Sequence, residues 1–246
     1  MKSIIVSLGN IDNRARHSAP AIVVFPHAGG SPRFYAHWAK TLPHHQLWGV
    51  TYPGRDARLG DAPPATLQAL ACECAAYLDL LLDNAMPALL VGHSMGAWVA
   101  WETVRCLEKM TPDRSIMTVV SGQNPPDCPP GTCLHRQDDA ALIADMKRQN
   151  PAHHALWAIP ELRQLFLPTV REDYRLLETY RAESGTVADL TVVYGKDDNE
   201  IDRATIQRWR HASHGRYRTR RLPGGHFYLA APDTSLPHYL SELLSC

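Results

Sequence analysis

Five residues, Gly92-His93-Ser94-Met95-Gly96, set a serine between two glycines at the spacing of a sharp turn. The apolar run Ala88-Leu89-Leu90-Val91 comes before them, and the helix-compatible Ala97-Trp98-Val99-Ala100-Trp101-Glu102 comes after. A serine on such a strand-to-helix turn is held in a strained conformation. Bulky side chains two positions away would strike the crossing backbone, hence glycine on both sides. The turn lifts the hydroxyl clear of the sheet. It also leaves the Met95 N–H at a helix N-terminus, where free donors and the helix dipole favour an oxyanion. The chemistry this permits is nucleophilic attack on a carbonyl. A tight turn with an idle serine is the competing reading, and the flanking strand and helix patterns argue against it.

A serine hydroxyl needs a base, and the base needs an orienting acid. After an elbow of this type the chain order is Ser, Asp or Glu, then His. The chain has 13 histidines, so position must choose among them. His226 stands in Leu222-Pro223-Gly224-Gly225-His226-Phe227, after a strand pattern and before the last helical one. Its glycines let the loop carry the imidazole back over Ser94. His211 and His214 read as surface histidines, and His153 and His154 fall in an inserted segment. For the acid, Asp197 and Asp198 both follow the strand pattern Leu190–Tyr194. Asp198, three residues past Gly195, is preferred. Asp197 then caps the turn, and Asp127 is a third candidate.

A second oxyanion donor is expected from Phe25-Pro26-His27-Ala28-Gly29-Gly30-Ser31, which follows the strand pattern Ala21–Phe25. Its glycines allow close approach of backbone to substrate, with the N–H near Ala28 available. A phosphate-cradling role fails because no Gly-Lys-Ser/Thr ending is present.

The elements that must position these residues are legible as short apolar runs alternating with helical stripes. Strand patterns cover Ala21–Phe25, Leu47–Tyr52, Ala88–Gly92, Ile116–Ser121, Leu190–Tyr194 and, more weakly, Tyr217–Leu222. Most are continuously apolar, as parallel strands covered on both faces are. Leu67, Leu70, Ala71, Cys74, Leu78, Leu81 and Leu82 make a helical stripe with Thr66 as N-cap. Further helices are expected over 95–110, 138–149, 161–180 and 236–244. The order implies an α/β fold with right-handed crossovers. The proline-rich stretch after Ser121 and the two helices behind it read as an inserted helical lid over 123–185, within a single domain spanning 1–246.

Composition narrows the function classes. Lys+Arg and Asp+Glu are 25 each over 246 residues, so no net basic footprint points to nucleic acid. The hydrophobic fraction of 45% and the charged fraction of 20% are ordinary for a globular chain. No apolar run approaches the ~18 residues of a transmembrane helix, and no targeting segment is legible at the N-terminus. The six cysteines include no Cys-x-x-Cys pair and complete no zinc site with histidine. Idle or buried thiols in a reducing cytoplasm are expected.

At this point four segments resemble one family, the type II thioesterases that accompany nonribosomal peptide and polyketide synthases. They are Phe25-Pro26-His27-Ala28-Gly29-Gly30 with Phe34, Tyr35 and Trp38; Tyr52-Pro53-Gly54-Arg55-Asp56-Ala57-Arg58; Gly92-His93-Ser94-Met95-Gly96-Ala97; and Pro223-Gly224-Gly225-His226-Phe227. The Pro-Gly-Arg-x-x-Arg segment is the discriminating one. The resemblance implies an α/β-hydrolase fold, a mostly parallel central sheet flanked by helices, with the inserted helical lid. It implies hydrolysis of acyl thioesters on the phosphopantetheine arm of acyl or peptidyl carrier protein domains, clearing stalled or aberrant acyl groups. Carried over by position, it makes Ser94 the nucleophile, Asp198 the acid, His226 the base, and Ala28 and Met95 the oxyanion donors. No cofactor and no metal are implied, and a cytoplasmic monomer is expected. The alternatives are a medium-chain acyl-carrier-protein thioesterase and a general carboxylesterase of the same fold. A non-catalytic scaffold is disfavoured by the intact Ser, Asp and His set.

Two groups of arginines lie outside this set. Arg55 and Arg58 either pair with carboxylates inside the fold, the favoured reading, or contact the phosphopantetheine. Arg208, Arg210, Arg216, Arg218, Arg220 and Arg221 form a local basic run with no acid among them. It is either a solvated face or, through Arg218 and Arg220, a docking surface for an acidic carrier protein. Phe34, Tyr35 and Trp38 fit a helix face packed on the sheet. Met146, Trp157, Leu165, Phe166 and Leu167 either line an acyl channel or hold the lid together.

Overall fold

Every side chain of Ala21-Ile22-Val23-Val24-Phe25 is buried. Ile22 and Val24 join one apolar cluster, while Ala21, Val23 and Phe25 join another on the opposite face. Successive strand residues point to opposite faces, so a strand covered on both sides must be apolar throughout. This run is the second strand of the fold in the computed structural model, which describes residues 4–9, 19–150 and 155–245. The strands are β1 (Ile5–Ser7), β2 (Ala21–Phe25), β3 (Gln46–Val50), β4 (Ala88–His93), β5 (Ile116–Ser121), β6 (Val187–Gly195) and β7 (Ser213–Leu222). Among the described residues they form one seven-stranded sheet in the order β1-β3-β2-β4-β5-β6-β7. Only the β1–β3 pairing is antiparallel. This is the mostly parallel, helix-flanked α/β-hydrolase sheet.

Helices α1 (Leu67–Leu81), α2 (Met95–Met110), α3 (Asp139–Gln149), α4 (Pro160–Thr179) and α5 (Leu236–Leu244) follow the expected stripes to within a residue or so. Thr66 caps α1, its Oγ1 accepting the Ala69 N–H at 3.0 Å. Trp98, Trp101 and Val104 of α2 pack with the inner residues of α1 on one face of the sheet. Tyr35 and Trp38 cover the other face together with Leu236, Leu240 and Leu243 of α5. The segment over Pro32–Lys40 is a 3-10 helix rather than an α-helix, with Ser31 capping it and Pro at its start. The short β1 was not expected; it covers the edge of β3. No helix among the described residues is long and apolar enough to cross a membrane.

Strand order sets the site. From β2 the chain moves outward to β3 on one side, then returns to place β4 on the other side of β2. The loops after β2 and β4 therefore leave the same end of the sheet in opposite directions and open a crevice, the usual ligand position in such sheets. Phe25 pairs with Gly92 in register, so the two loops start side by side. Residues 122–186 lie between β5 and β6 and carry α3 and α4. His153, His154 and Cys246 lie outside the described residues.

Candidate active site

Ser94 has φ 54° and ψ −124°, in the left-handed half of conformational space that L-residues avoid. It is half-buried, where its neighbours in β4 and α2 are buried. The glycines around it have no room for a side chain. A Cβ on Gly92 would stand 1.9 Å from the Gly96 carbonyl oxygen, and one on Gly96 would stand 2.1 Å from that of Phe25. The second contact matters for chemistry, since it presses the start of α2 against the loop that follows β2. Met95 is the first residue of α2, so helix geometry provides no intrahelical acceptor for its N–H. In the opposing turn, the Gly29 N–H is committed to Asp173 and the Gly30 N–H to the His27 carbonyl. The Ala28 N–H has no acceptor among the described residues.

The structure brings His226 and Asp198 together. His226 Nδ1 lies 3.1 Å from Asp198 Oδ1 and 3.0 Å from Oδ2. Both residues are buried, at 8% and 2% exposure. The loops that carry them are fused by backbone. The Lys196 N–H donates to the Leu222 carbonyl at 2.8 Å, and the Asp197 N–H to that of Gly224 at 3.0 Å. A Cβ on Gly195 would collide with the Gly224 carbonyl oxygen at 2.4 Å, so this close approach requires glycine. The other two acid candidates sit elsewhere. Asp197 is exposed. Asp127 pairs with Arg208 at the surface.

Around His226 lies a set of buried and half-buried rings that sequence reasoning did not assemble. His93 stacks at 4.8 Å between centroids from His226, tilted by 43°. His93 Nδ1 contacts Ser121 Oγ at 2.9 Å, and Ser121 Oγ contacts the Tyr228 hydroxyl at 2.7 Å. His27 packs edge-on against Phe227 and Phe34 at 4.9 and 5.1 Å. Burial, reinforced by His226 and His27, pushes the His93 imidazole well below its ordinary 6.5. His93 is thus neutral when folded and takes up a proton near pH 6.5 when unfolded. Its contribution to stability is complete above that pH and is lost as the pH falls. The urea midpoint is expected to drop between about pH 7.5 and 5.5, and to drop less in His93→Gln. Equal slopes in the two proteins would refute this.

Arg55 and Arg58 point inward. Arg55 pairs with Asp173 at 2.6 Å. Arg58 pairs with Asp61 and Glu73, each at 2.8 Å. At 7% and 5% exposure neither guanidinium presents a docking surface; both take the favoured internal pairing, and the alternative contact with substrate or carrier is corrected. Removing one partner of the buried Arg55–Asp173 pair costs about 3–5 kcal/mol, because the other charge is left uncompensated. Arg218 bonds Asp189 at 2.7 Å, while Arg220 lies over the Tyr239 ring at 5.2 Å. Both are on β7, at the outer edge of the sheet.

A cavity of about 240 Å³ opens beside the turn that holds Ala28. His27, Ala28, Gly29 and Phe34 line it from the sheet side, and Met146, Trp157, Phe166 and Val170 from the inserted segment. Its walls are mostly apolar, suited to an acyl chain. A larger hollow of about 530 Å³, lined by Asp139, Arg163, Arg171 and their neighbours, includes none of the residues around Ser94, so volume alone does not mark the site.

Comparison with known proteins gives the family. A family model described as the thioesterase domain matches residues 20–244. The probable cadicidin biosynthesis thioesterase of Streptomyces griseus is 36% identical over 224 residues, covering 87% of this chain and 60% of that one. The chain therefore spans less than two thirds of that relative's length. Thioesterase PikA5 of Streptomyces venezuelae is 32% identical over 218 residues, covering 87% of this chain and 77% of that one. Among solved structures, YbtT, a type II thioesterase from the yersiniabactin NRPS/PKS biosynthetic pathway, superposes with a TM-score of 0.84 at 28% identity, covering 99% of this chain and 97% of that one. With sheet order, elbow and these likenesses in agreement, the chain belongs to the thioesterase family.

Proposed function

We propose that the chain is a serine thioesterase that removes acyl groups from the phosphopantetheine arm of carrier protein domains, editing synthases of nonribosomal peptide or polyketide type. The observation that carries this reading is the buried Asp198–His226 pair together with the strained Ser94 of the elbow, in a chain of the thioesterase family. The likeness to YbtT supports the choice of synthase-bound substrates.

The geometry supports an acyl-enzyme mechanism. Asp198 holds His226 by Nδ1, which directs the other ring nitrogen, Nε2, toward proton transfer. His226 takes the Ser94 proton as Oγ attacks the thioester carbonyl. The N–H groups of Ala28 and Met95 stabilise the tetrahedral oxyanion, each worth about 3–4 kcal/mol in the transition state. His226 then gives its proton to the departing thiolate. Water, activated by the same imidazole, attacks the acyl-enzyme and frees the acid. No step in this sequence calls for a metal or a redox cofactor.

The test uses a carrier protein bearing an acetyl group on its phosphopantetheine arm, followed by intact-protein mass spectrometry. Acyl loss that depends on Ser94 supports the reading. Retention of the acyl group, with para-nitrophenyl esters still cleaved, would replace it with a general carboxylesterase.

Docking of the carrier is assigned to the arginine edge of β7. Charge reversal at Arg218 and Arg220 is expected to raise KM for carrier-bound substrate and leave a small thioester unaffected. Equal effects on both substrates would remove this surface from the account.

A further inference from the structure

Asp173 lies in α4 and is 3% exposed. Its Oδ1 is 2.6 Å from Arg55 Nη2, and its Oδ2 accepts the Gly29 N–H at 2.7 Å. Arg55 in turn donates from Nη1 to the Gly30 carbonyl at 2.9 Å. Both ties end on the two glycines that follow Ala28. Gly29 has φ 71°, and a Cβ there would stand 2.8 Å from Val170 Cγ2, so the turn lies hard against α4.

These bonds govern the direction of a third group. A peptide unit is planar, so the His27 carbonyl and the Ala28 N–H turn together. The His27 carbonyl accepts the Gly30 N–H at 2.9 Å. Gly30 is held by Arg55 through its own carbonyl, and the intervening Gly29 N–H is held by the Asp173 carboxylate. A bond to an ionised acceptor is about twice as strong as a neutral one. Two glycines at this point would otherwise leave the turn many accessible conformations.

We infer that Asp173, acting with Arg55, is a positioning residue for the oxyanion donor at Ala28. It touches no reacting atom. It sets the plane of the His27–Ala28 peptide, and it does so from the helical segment inserted between β5 and β6. The inference rests on the proposed roles of Ser94, Ala28 and Met95.

The experiment compares wild type, Asp173→Asn and the paired variant Arg55→Met/Asp173→Leu, which buries no orphan charge and so guards against misfolding. Thr169→Val is the control, because Thr169 ties α4 to the Gly54 carbonyl at 2.8 Å without touching the turn. The readouts are kcat and KM on an acyl-N-acetylcysteamine thioester, and inhibition by an alkylboronic acid, whose adduct with an activated serine places an oxygen where the oxyanion forms. Both Asp173 variants are expected to lose on the order of 10²-fold in kcat, the cost of a misplaced oxyanion donor. Their boronate affinity should fall in parallel and KM should stay within about threefold. The acid limb of the pH profile should not move, since Asp198 and His226 are untouched. Thr169→Val should keep its kcat and boronate affinity. Retention of both by the folded paired variant would overturn the inference. If wild type fails to bind the boronate and Ser94→Ala still hydrolyses the thioester, the underlying site assignment fails instead.

Discussion

Ser94→Ala is expected to lower hydrolysis of a carrier-bound acyl thioester by on the order of 10⁴- to 10⁶-fold while the protein stays folded. The size follows from what the residue does: without Oγ no acyl-enzyme can form, and His226 has no proton to take. The fold should survive, because alanine removes only a half-buried hydroxyl, and the turn is held by backbone and by the two glycines. The Ser94 N–H still donates to the Ser121 carbonyl at 2.8 Å. The measurement is single-turnover acyl loss by mass spectrometry, with the thermal midpoint as the check on folding. A variant that keeps more than about a hundredth of the wild-type rate would show that the nucleophile is elsewhere.

Asp198→Asn should cost about 10⁴-fold in kcat, and Asp197→Asn almost nothing. The two residues are adjacent in sequence yet their surroundings differ completely. Asp198 is buried with both carboxylate oxygens on His226 Nδ1, whereas Asp197 is exposed and joins the His loop only through its backbone N–H. An asparagine at 198 offers an amide N–H to one side of the imidazole and favours the wrong tautomer, leaving His226 unable to accept the Ser94 proton. The comparison is kcat on a small acyl thioester for the two variants side by side. A large loss at Asp197, or none at Asp198, would reassign the acid.

The sequence made the parallel strands legible because their burial on both faces leaves no alternation to misread. Ala21–Phe25 and Ile116–Ser121 match to the residue, as does the helix that begins at Met95. The elbow and the two glycine-rich loops were legible because close backbone approach restricts residue type so strongly. What stayed hidden depends on partners distant in the chain. Ile5-Val6-Ser7 is too short to show a period, and becomes a strand only by pairing with β3. Pro32–Lys40 has the cap and the apolar face of a helix, but nothing local separates the 3-10 form from the α form. Asp173 resembles any acidic residue on an amphipathic helix. Its burial comes from Arg55, 118 residues away. His27 and His93 likewise gain their place from each other and from rings of the loop that follows β7.

The position of β7 at the rim of the sheet bears on how this protein behaves when concentrated. An uncovered rim strand offers free N–H and C=O groups on which another copy can grow, which is the route to strand-swapped aggregates. In β7 that rim carries Arg216, Arg218, Arg220 and Arg221. Antiparallel addition of a second copy centred on Arg218 would set Arg216 against Arg220 twice, and like charges directly opposite each other are destabilising. The arginine rim that would draw in an acidic partner through Arg218 and Arg220 thus repels a copy of the chain itself through Arg216 and Arg220. Replacing Arg216 and Arg220 by threonine keeps the strand but removes the repulsion, and light scattering at rising concentration should then show earlier self-association. Unchanged scattering would mean that the rim is guarded by something other than charge.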